Sequence, residues 1–484
     1  VWFIGRMGSW ATFGGDLHLD LTAGRSRGLG LRAALEDALR EAVRTGRLPR
    51  ATRLPSSREL SRDLGIARNT VAEAYAQLSA EGWLASRQGS GTVVADRGTP
   101  SVPVPASPAP RTPAVRHDLM PGRPDVSRFP RSAWLAAARR ALATAPHEAF
   151  GYTDPRGRIE LRRALAGYLA RVRGVRTDPE RLVVCAGYTQ GLGLLCEVLR
   201  EQGVGTVAVE EYGLPPQLEV LSAKDLATAA LPLDAGGART DLLAGTGAGA
   251  AVLTPAHQFP TGVPLRAARR AAAVAWAQRT GGLVVEDDYD GEFRYDRQPV
   301  GAMQALDPER VVHAGTVSKS LAPGLRIGWL ALPAALVGPV ARRKELADGQ
   351  SGVMDQLTLA ELIASGAYDR HVRRSRLQYR RRRDRLVAVL AERAPEVRVT
   401  GIAAGLHAVL ELPPGSLDEE ELRRQAAWLG LSLNTLGWCR TPSAGPEPER
   451  PPALVIGYGT PSDRAFEPAL DALCTLVRLA APGD

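Results

Sequence analysis

The 484-residue sequence predicts a multidomain chain: a small winged helix-turn-helix head, then a large α/β body whose mostly parallel sheet carries helices on both faces. Three observations predict this. Prolines at 100, 103, 105, 108, 110 and 113 mark a stretch over 96–117 that forbids helix and favours an extended, semi-rigid spacer. Ahead of it, three helical patterns precede two short β-rich runs around a glycine-rich tip. Behind it, near-continuous Val/Leu/Ala runs alternate with helix-length stretches, as strands buried on both faces require.

In the head, Leu31, Leu35, Ala38, Leu39, Ala42 and Val43 recur at helical spacing, and Gly46 follows as a stop. Ser56 and Glu59 form a capping box that opens a second helix, which Gly65 breaks. A third helix runs from about 68 to 81, with Gly82 just beyond. Residues 83–85 and 92–95 are predicted strands around the tip Arg87-Gln88-Gly89-Ser90-Gly91. The predicted division is an extension over 1–16, the head over 17–95, the linker over 96–117 and the body over 118–484.

In the body, strands are predicted at 182–186, 206–210, 250–254, 283–286, 311–314 and 327–332. Functional residues of such a sheet gather at the carboxyl ends of its strands. The run 370–385 holds nine arginines with His371 and Tyr379. Val372, Leu377 and Leu386 interleave with them, which predicts a long solvated amphipathic helix.

The net charge of +9 and pI of about 9.7 favour a polyanionic partner. Over 17–95, twelve Arg against eight Asp plus Glu leave a net +4. Four cysteines, at 185, 196, 439 and 474, show neither CxxC spacing nor disulfide density, so a reducing, cytoplasmic setting and core positions are expected, and no metal site is. No apolar run approaches the ~18 residues of a membrane span, so no membrane role is expected.

Only three of the 61 basic residues are lysines, at 224, 319 and 344. A guanidinium cannot lose its proton to become a nucleophile, whereas a lysine amine in a suitable pocket can. Lys319, inside Gly-Thr-Val-Ser-Lys-Ser after an apolar run, is therefore the candidate to bind an aldehyde cofactor.

Leu54-Pro-Ser-Ser-Arg-Glu-Leu60, Leu64-Gly-Ile-Ala-Arg-Asn-Thr-Val71, Glu81-Gly82-Trp83 and Gly89-Ser-Gly-Thr92 resemble the winged helix-turn-helix of the GntR family. Arg68, Asn69 and Thr70 at the start of the third helix can present donors and acceptors to base edges in the major groove of a double-stranded DNA operator. Arg58 and Arg87 can hold phosphates, and Gly89 lets the wing tip approach the backbone.

From about 118 onward the chain resembles fold type I aminotransferases, with a smaller C-terminal α+β subdomain, and the resemblance implies pyridoxal 5′-phosphate. Gly315-Thr-Val-Ser-Lys-Ser-Leu-Ala-Pro-Gly-Leu-Arg-Ile-Gly328 resembles the lysine segment, with Lys319 as the amine, Thr316 and Ser318 nearby and Arg326 on the phosphate. Glu286-Asp-Asp-Tyr-Asp290 implies Asp287 on the pyridinium nitrogen and Tyr289 on the phenolic oxygen; spacing alone leaves open whether Asp287 or Asp288 points inward. Ala186-Gly-Tyr-Thr-Gln-Gly-Leu192 implies phosphate donors from the Tyr188 and Thr189 N–H groups. Pro255-Ala-His-Gln-Phe-Pro-Thr-Gly262 implies a ring-oxygen contact from His257 or Gln258, and Phe150-Gly-Tyr-Thr-Asp154 implies that Tyr152 acts across a homodimer. The chain departs from the family pattern twice. Leu214 stands where an aromatic residue stacks, with Tyr212 two positions earlier, and Val455 stands where aminotransferases place a carboxylate-binding arginine.

A GntR-like head on an aminotransferase-like body resembles the MocR regulators. That resemblance implies a transcription regulator responding to pyridoxal phosphate or its adduct with an amino acid or amine, with vitamin B6 or amino-acid and amine metabolism genes as targets. The alternative is an active aminotransferase that also binds DNA. Val455 weighs against it.

Overall fold

Apolar residues spaced three and four apart on three short helices give the head its core. The computed structural model describes residues 12–13, 17–19, 21, 28–87, 91–95, 115–295, 300–401, 404–446 and 450–481. Helices α1 (Leu31–Arg44), α2 (Ser57–Leu64) and α3 (Arg68–Ala80) bury Leu35 and Leu39, Leu60 and Leu64, and Val71, Tyr75 and Leu78 against one another. The predicted capping box is present: the Glu59 N–H donates to Ser56 Oγ at 3.3 Å, and the Ser56 N–H to Glu59 Oε2 at 2.9 Å. Gly65 ends α2 at φ 63°, and α3 follows three residues later. Two wing strands, Leu84–Arg87 and Gly91–Val94, pair antiparallel, and an Arg53–Val93 bridge adds a third piece of chain to them. Arg40 donates to both Glu81 oxygens, at 2.9 and 2.7 Å, tying α1 to the end of α3. The described residues fall into two units, Val1–Pro110 and Arg111–Asp484.

The body is built on seven strands: β1 (Leu182–Cys185), β2 (Thr206–Glu210), β3 (Ala227–Leu231), β4 (Ala250–Leu253), β5 (Leu283–Asp287), β6 (Val311–Thr316) and β7 (Gly328–Ala331). Their order is β1-β7-β6-β5-β4-β2-β3, parallel except that β7 runs antiparallel to both its neighbours. Side chains alternate across the sheet. Val183, Val207, Val285 and Val312 meet helix Tyr188–Glu201 on one face. On the other, Leu182 and Val184 meet helices Ile159–Arg173 and Val353–Ala364, and Ala251 and Val284 meet helix Ala267–Thr280. Burial on both faces explains why these strands read as continuous apolar runs. β3, with its Ala-Thr-Ala-Ala-Leu sequence at the sheet edge, escaped the sequence reading because its burial is only partial.

The smaller subdomain holds β8 (Arg398–Thr400), β9 (Ala408–Glu411), β10 (Asn434–Thr435) and β11 (Ala453–Ile456), in the order β8-β9-β11-β10 and antiparallel throughout. Helices Glu419–Trp428 and Asp463–Ala480 cover it. The arginine-rich run lies in a 27-residue helix, Ala367–Arg393. One of its arginines is not solvated: Arg382 is buried and donates to Asp125 at 2.8 Å and Asp463 at 2.6 Å. The body takes up the chain before 118, because the Arg116 and His117 N–H groups both donate to Gly430 O and His117–Asp118 pairs with Leu431–Ser432. The linker expected over 96–117 therefore ends a residue or two early. Among the described residues no helix is long and apolar enough to cross a membrane, and all four cysteines are free and buried.

Candidate functional site

Parallel strands bring their carboxyl ends to one edge of the sheet, and there the chain leaves a cavity of about 720 Å³. β5 ends on Asp287, β6 on Thr316 and β2 on Glu210, and all three line it. Lys319, Ser318, Tyr289, Arg326, Tyr188 and Thr189 join them, so most of the predicted cofactor residues share one enclosure.

Lys319 donates from Nζ to the Gly122 carbonyl. Burial pulls its pKa down from the ordinary lysine value, against the Asp287 and Asp290 carboxylates and with help from the Arg123 charge. The amine is thus biased toward its neutral, nucleophilic form. Asp287 is 4% exposed, and burial pushes its carboxyl up to about 7, against the Gln217 amide that donates to it at 2.6 Å and the nearby Lys319 charge. The Tyr188 hydroxyl is buried near this carboxyl without a well-aligned hydrogen-bond partner. Asp288 turns the other way, onto Arg173 at 2.7 and 2.9 Å and His313 Nε2 at 3.0 Å, which resolves the choice between the two aspartates.

Helix Tyr188–Glu201 opens at Gly187, whose φ of 80° suits glycine. Its first-turn N–H groups have no partner within the helix and face an anion-ready end. Arg326, itself left-handed at φ 51°, sends its guanidinium to Ala186 O at 2.6 Å beside that end. The Thr316 hydroxyl donates to Ser318 Oγ at 2.9 Å, joining the β6 end to the lysine segment.

His257 and Gln258 do not line the cavity, contrary to the expected ring-oxygen contact. Gln258 is consumed by its neighbours: Nε2 donates to Tyr212 O at 2.7 Å, and Oε1 accepts from the Thr261 hydroxyl at 2.7 Å and the Thr261 N–H at 3.1 Å. His257 lies one layer back, with Nδ1 2.9 Å from Asp290 Oδ2 and 3.1 Å from the Tyr289 hydroxyl, so it reaches the cavity only through Tyr289. His257, Asp290 and His407 form a buried group whose ligand-type atoms lie within 4.8 Å of one another, although no metal site was expected. Tyr152 is fully exposed and does not line its own chain's cavity. Leu214 lines the cavity, while Tyr212 packs behind it with Phe259 and Val455, and Val455 has no exposed surface.

In the head, Arg68 and Asn69 are exposed at the N-terminus of α3, Thr70 is half-buried and Arg58 is exposed on α2. Arg87 ends the first wing strand, paired with Gly91; Gly89 lies outside the described residues.

Residues 31–94 match the family of bacterial regulatory proteins, gntR family, and 123–435 match aminotransferase class I and II. The chain is 33% identical over 451 residues to the uncharacterized HTH-type transcriptional regulator YhdI of Bacillus subtilis, covering 90% of this chain and 93% of that one. It is 34% identical to the HTH-type pyridoxine biosynthesis transcriptional regulator PdxR of Corynebacterium glutamicum, over 78% of this chain and 82% of the relative. The probable rhizopine catabolism regulatory protein MocR of Rhizobium meliloti is 31% identical over 86% and 88%. This chain belongs to the MocR/PdxR-type HTH transcriptional regulators. Its body matches the solved archaeal alanine:glyoxylate aminotransferase with a TM-score of 0.67 at 26% identity, covering 75% of this chain and 90% of that structure.

Glu210 and Gln217 are among the residues of this MocR-type regulator's cavity that escaped the sequence reading. Glu210 follows four strand residues and ends β2 much as Asp287 ends β5, a signal that could have found it; burial pushes it to about 7 against hydrogen bonds from Thr254 and Gln258. Gln217 sits in a short helix, Pro215–Ser222, and only the fold brings it to Asp287 across 70 residues of sequence.

Proposed function

We propose that this MocR-type regulator binds pyridoxal 5′-phosphate in the body cavity through Lys319 and that loading changes how its head holds a double-stranded DNA operator. The observation that carries the reading is the placement of a buried lysine, its pKa lowered by that burial, and a deeply buried aspartate in one cavity, beside a helix N-terminus and the Arg326 guanidinium. A buried carboxyl held up to about 7 lacks a cationic partner in contact with it, and a pyridinium nitrogen would supply one. The Tyr188 hydroxyl, buried near this carboxyl without a well-aligned partner, fits a ligand in the same space. An added Cβ at Gly187 would lie 3.0 Å from the Arg326 guanidinium, so the bare backbone there keeps the anion end open.

When bound, pyridoxal phosphate supplies an electrophilic carbonyl carbon and an electron-withdrawing ring. Lys319 would supply the amine, Asp287 would hold the ring nitrogen's proton, Arg326 and the Tyr188 and Thr189 N–H groups would grip the phosphate, and the Tyr289 hydroxyl, which rests on His257, would turn to the ring oxygen. Thr316 and Ser318 hold the lysine segment. Tyr152, exposed on its own chain, is available to a partner copy in a homodimer. Transaminase turnover is expected to be weak, because Val455 lies in the apolar core and, among the described residues, no cation from β8 to β11 lines the cavity. The protein acts in the cytoplasm in this reading.

Operator binding upstream of the protein's own gene, measured with and without pyridoxal phosphate, tests the reading. Coupling of about 1–3 kcal/mol changes operator affinity by about 5- to 150-fold. Equal affinity in both conditions refutes regulation by the cofactor. Absence of a borohydride-sensitive yellow band, or its survival in Lys319→Ala, refutes the binding mode.

A further inference from the structure

We propose that the body carries a second ligand site, apart from the large cavity, which binds a small phosphate-class oxyanion between Arg373 and Arg376. A cavity of about 260 Å³ lies where the end of helix Ile159–Arg173 meets Gly291, Glu292 and the first half of helix Ala367–Arg393. Its lining shares no residue with that of the large cavity, so the inference goes beyond the cofactor reading and does not depend on it.

The charges around this smaller cavity are unequally spent. Four guanidiniums, of Arg171, Arg173, Arg373 and Arg376, face the two carboxyls of Glu292 and Asp369. Arg173 is buried and committed to Asp288 and to Val300 O, and Arg171 pairs with Asp369 at 2.7 Å. Arg373 and Arg376 pair with no carboxylate among the described residues. Each puts its Nε on a backbone carbonyl, Asp369 O at 3.3 Å and Glu292 O at 2.8 Å, which anchors the guanidinium and leaves its Nη groups without a partner among the described residues. Three residues apart on one helix, the two stand on the same face. Two planar forks side by side suit the oxygens of a tetrahedral oxyanion.

Glu292 does not cancel them. Its carboxyl has one long contact, from the Tyr368 hydroxyl at 3.5 Å, and that hydroxyl already shares a 2.7 Å hydrogen bond with Ser320. Burial, with the Asp288 charge, pushes the Glu292 carboxyl up to about 7, against its own backbone N–H and Arg173. Near neutral pH much of it is protonated, and the acid form offers an O–H donor to an oxyanion rather than repelling it. A cation entering here would meet two unpaired guanidiniums and a largely neutral acid. Size narrows the class further: pockets for drug-sized ligands run to ~300–1,000 Å³, so this one suits an inorganic ion or a compact phosphorylated molecule.

The test is isothermal titration of the full-length chain with inorganic phosphate and with glycerol 3-phosphate at constant ionic strength, sodium chloride being the control titrant. Arg326→Gln is carried in every protein, so that the anion end of the large cavity does not contribute. Saturable binding is expected; either order of affinity supports the site, and tighter binding of the ester marks a phosphorylated molecule rather than the bare ion as its occupant. Arg373→Gln with Arg376→Gln should weaken binding by about tenfold or more, and Arg373→Lys with Arg376→Lys should keep part of it. Glu292→Gln retains a donor and loses the residual charge, so it should bind at least as tightly. Unchanged affinity in the double glutamine variant overturns the proposal, as does weaker binding in Glu292→Gln or the lack of saturable binding by both probes. A short DNA duplex that displaces the bound phosphate assigns the two arginines to a nucleic-acid surface and overturns it too. Thermal unfolding checks that each variant is folded, and Arg373→Gln alone, at an exposed position, decides the matter if the pair is not.

Discussion

The Gln217 amide donates to the buried Asp287 carboxyl at 2.6 Å, and burial still holds that carboxyl up to about 7. In the unfolded chain the same group titrates near its ordinary value of about 3.9. Between about pH 4 and 7 the folded body therefore keeps a proton that the unfolded chain has released. Stability from this source is fully present below about pH 4 and is lost as pH rises toward 7. Glu210, also held to about 7, adds a loss of the same sign. Thermal unfolding of the cofactor-free protein at pH 5 and pH 8 should show the natural chain losing more than Asp287→Asn, by an amount on the order of a few kcal/mol. Cofactor should shrink the difference by giving Asp287 a cationic partner. Identical pH responses for the two proteins refute this.

Asp288, the neighbouring residue, is ionised for an opposite reason. Burial disfavours its charge, but Arg173 and His313 more than offset it and hold its pKa below the usual carboxylate range. Burial likewise pulls His313 down, and Asp288 more than reverses that, so the imidazole is raised. Arg173→Met strands a buried carboxylate and should cost about 3–5 kcal/mol in chemical denaturation. Arg173→Met combined with Asp288→Leu should recover part of that loss, since both charges then leave the interior. A double variant as unstable as the single one contradicts the argument.

Much of this architecture was legible because buried parallel strands and capped helices leave local marks. Ser56 with Glu59 located the start of α2, and six of the seven large-sheet strands stood out as apolar runs ending near functional residues. Lys319 was singled out by chemistry, since it stands in an arginine-dominated chain. What stayed hidden depends on distance. Gln217 meets Asp287 across 70 residues, and Arg173 meets Asp288 across 115, with no local pattern to mark either pair. The expected ring-oxygen contact failed for a related reason: type and spacing could not reveal that backbone carbonyls and Glu210 would absorb the Gln258 amide.

In the head, exposed Arg68 at the N-terminus of α3 combines a fork donor with the positive end of a helix. Arg68→Ala should abolish operator binding in a mobility-shift assay while leaving the cofactor band intact. In the proposed homodimer, about three or four phosphates neutralised by each monomer give a log–log salt slope of about −5 to −7. Loss of colour together with loss of binding would mean that the two units are not independent.

Gly187 separates space from flexibility as its reason for being glycine. Its φ of 80° is strained for any residue with a Cβ, and that Cβ would lie 3.0 Å from three atoms of the Arg326 guanidinium. Gly187→Ala should therefore push Arg326 out of the phosphate end and weaken cofactor affinity by about tenfold or more, equivalent to about 1.4 kcal/mol, in a fluorescence titration. Gly193, on the same helix, offers the control. A Cβ there meets only Val220 at 3.9 Å, an ordinary contact, and alanine is the better helix former by about 1 kcal/mol. Gly193→Ala should raise the unfolding midpoint slightly and leave cofactor affinity within about twofold. If both variants weaken the cofactor alike, the helix as a whole, rather than the close approach at Gly187, governs the phosphate end.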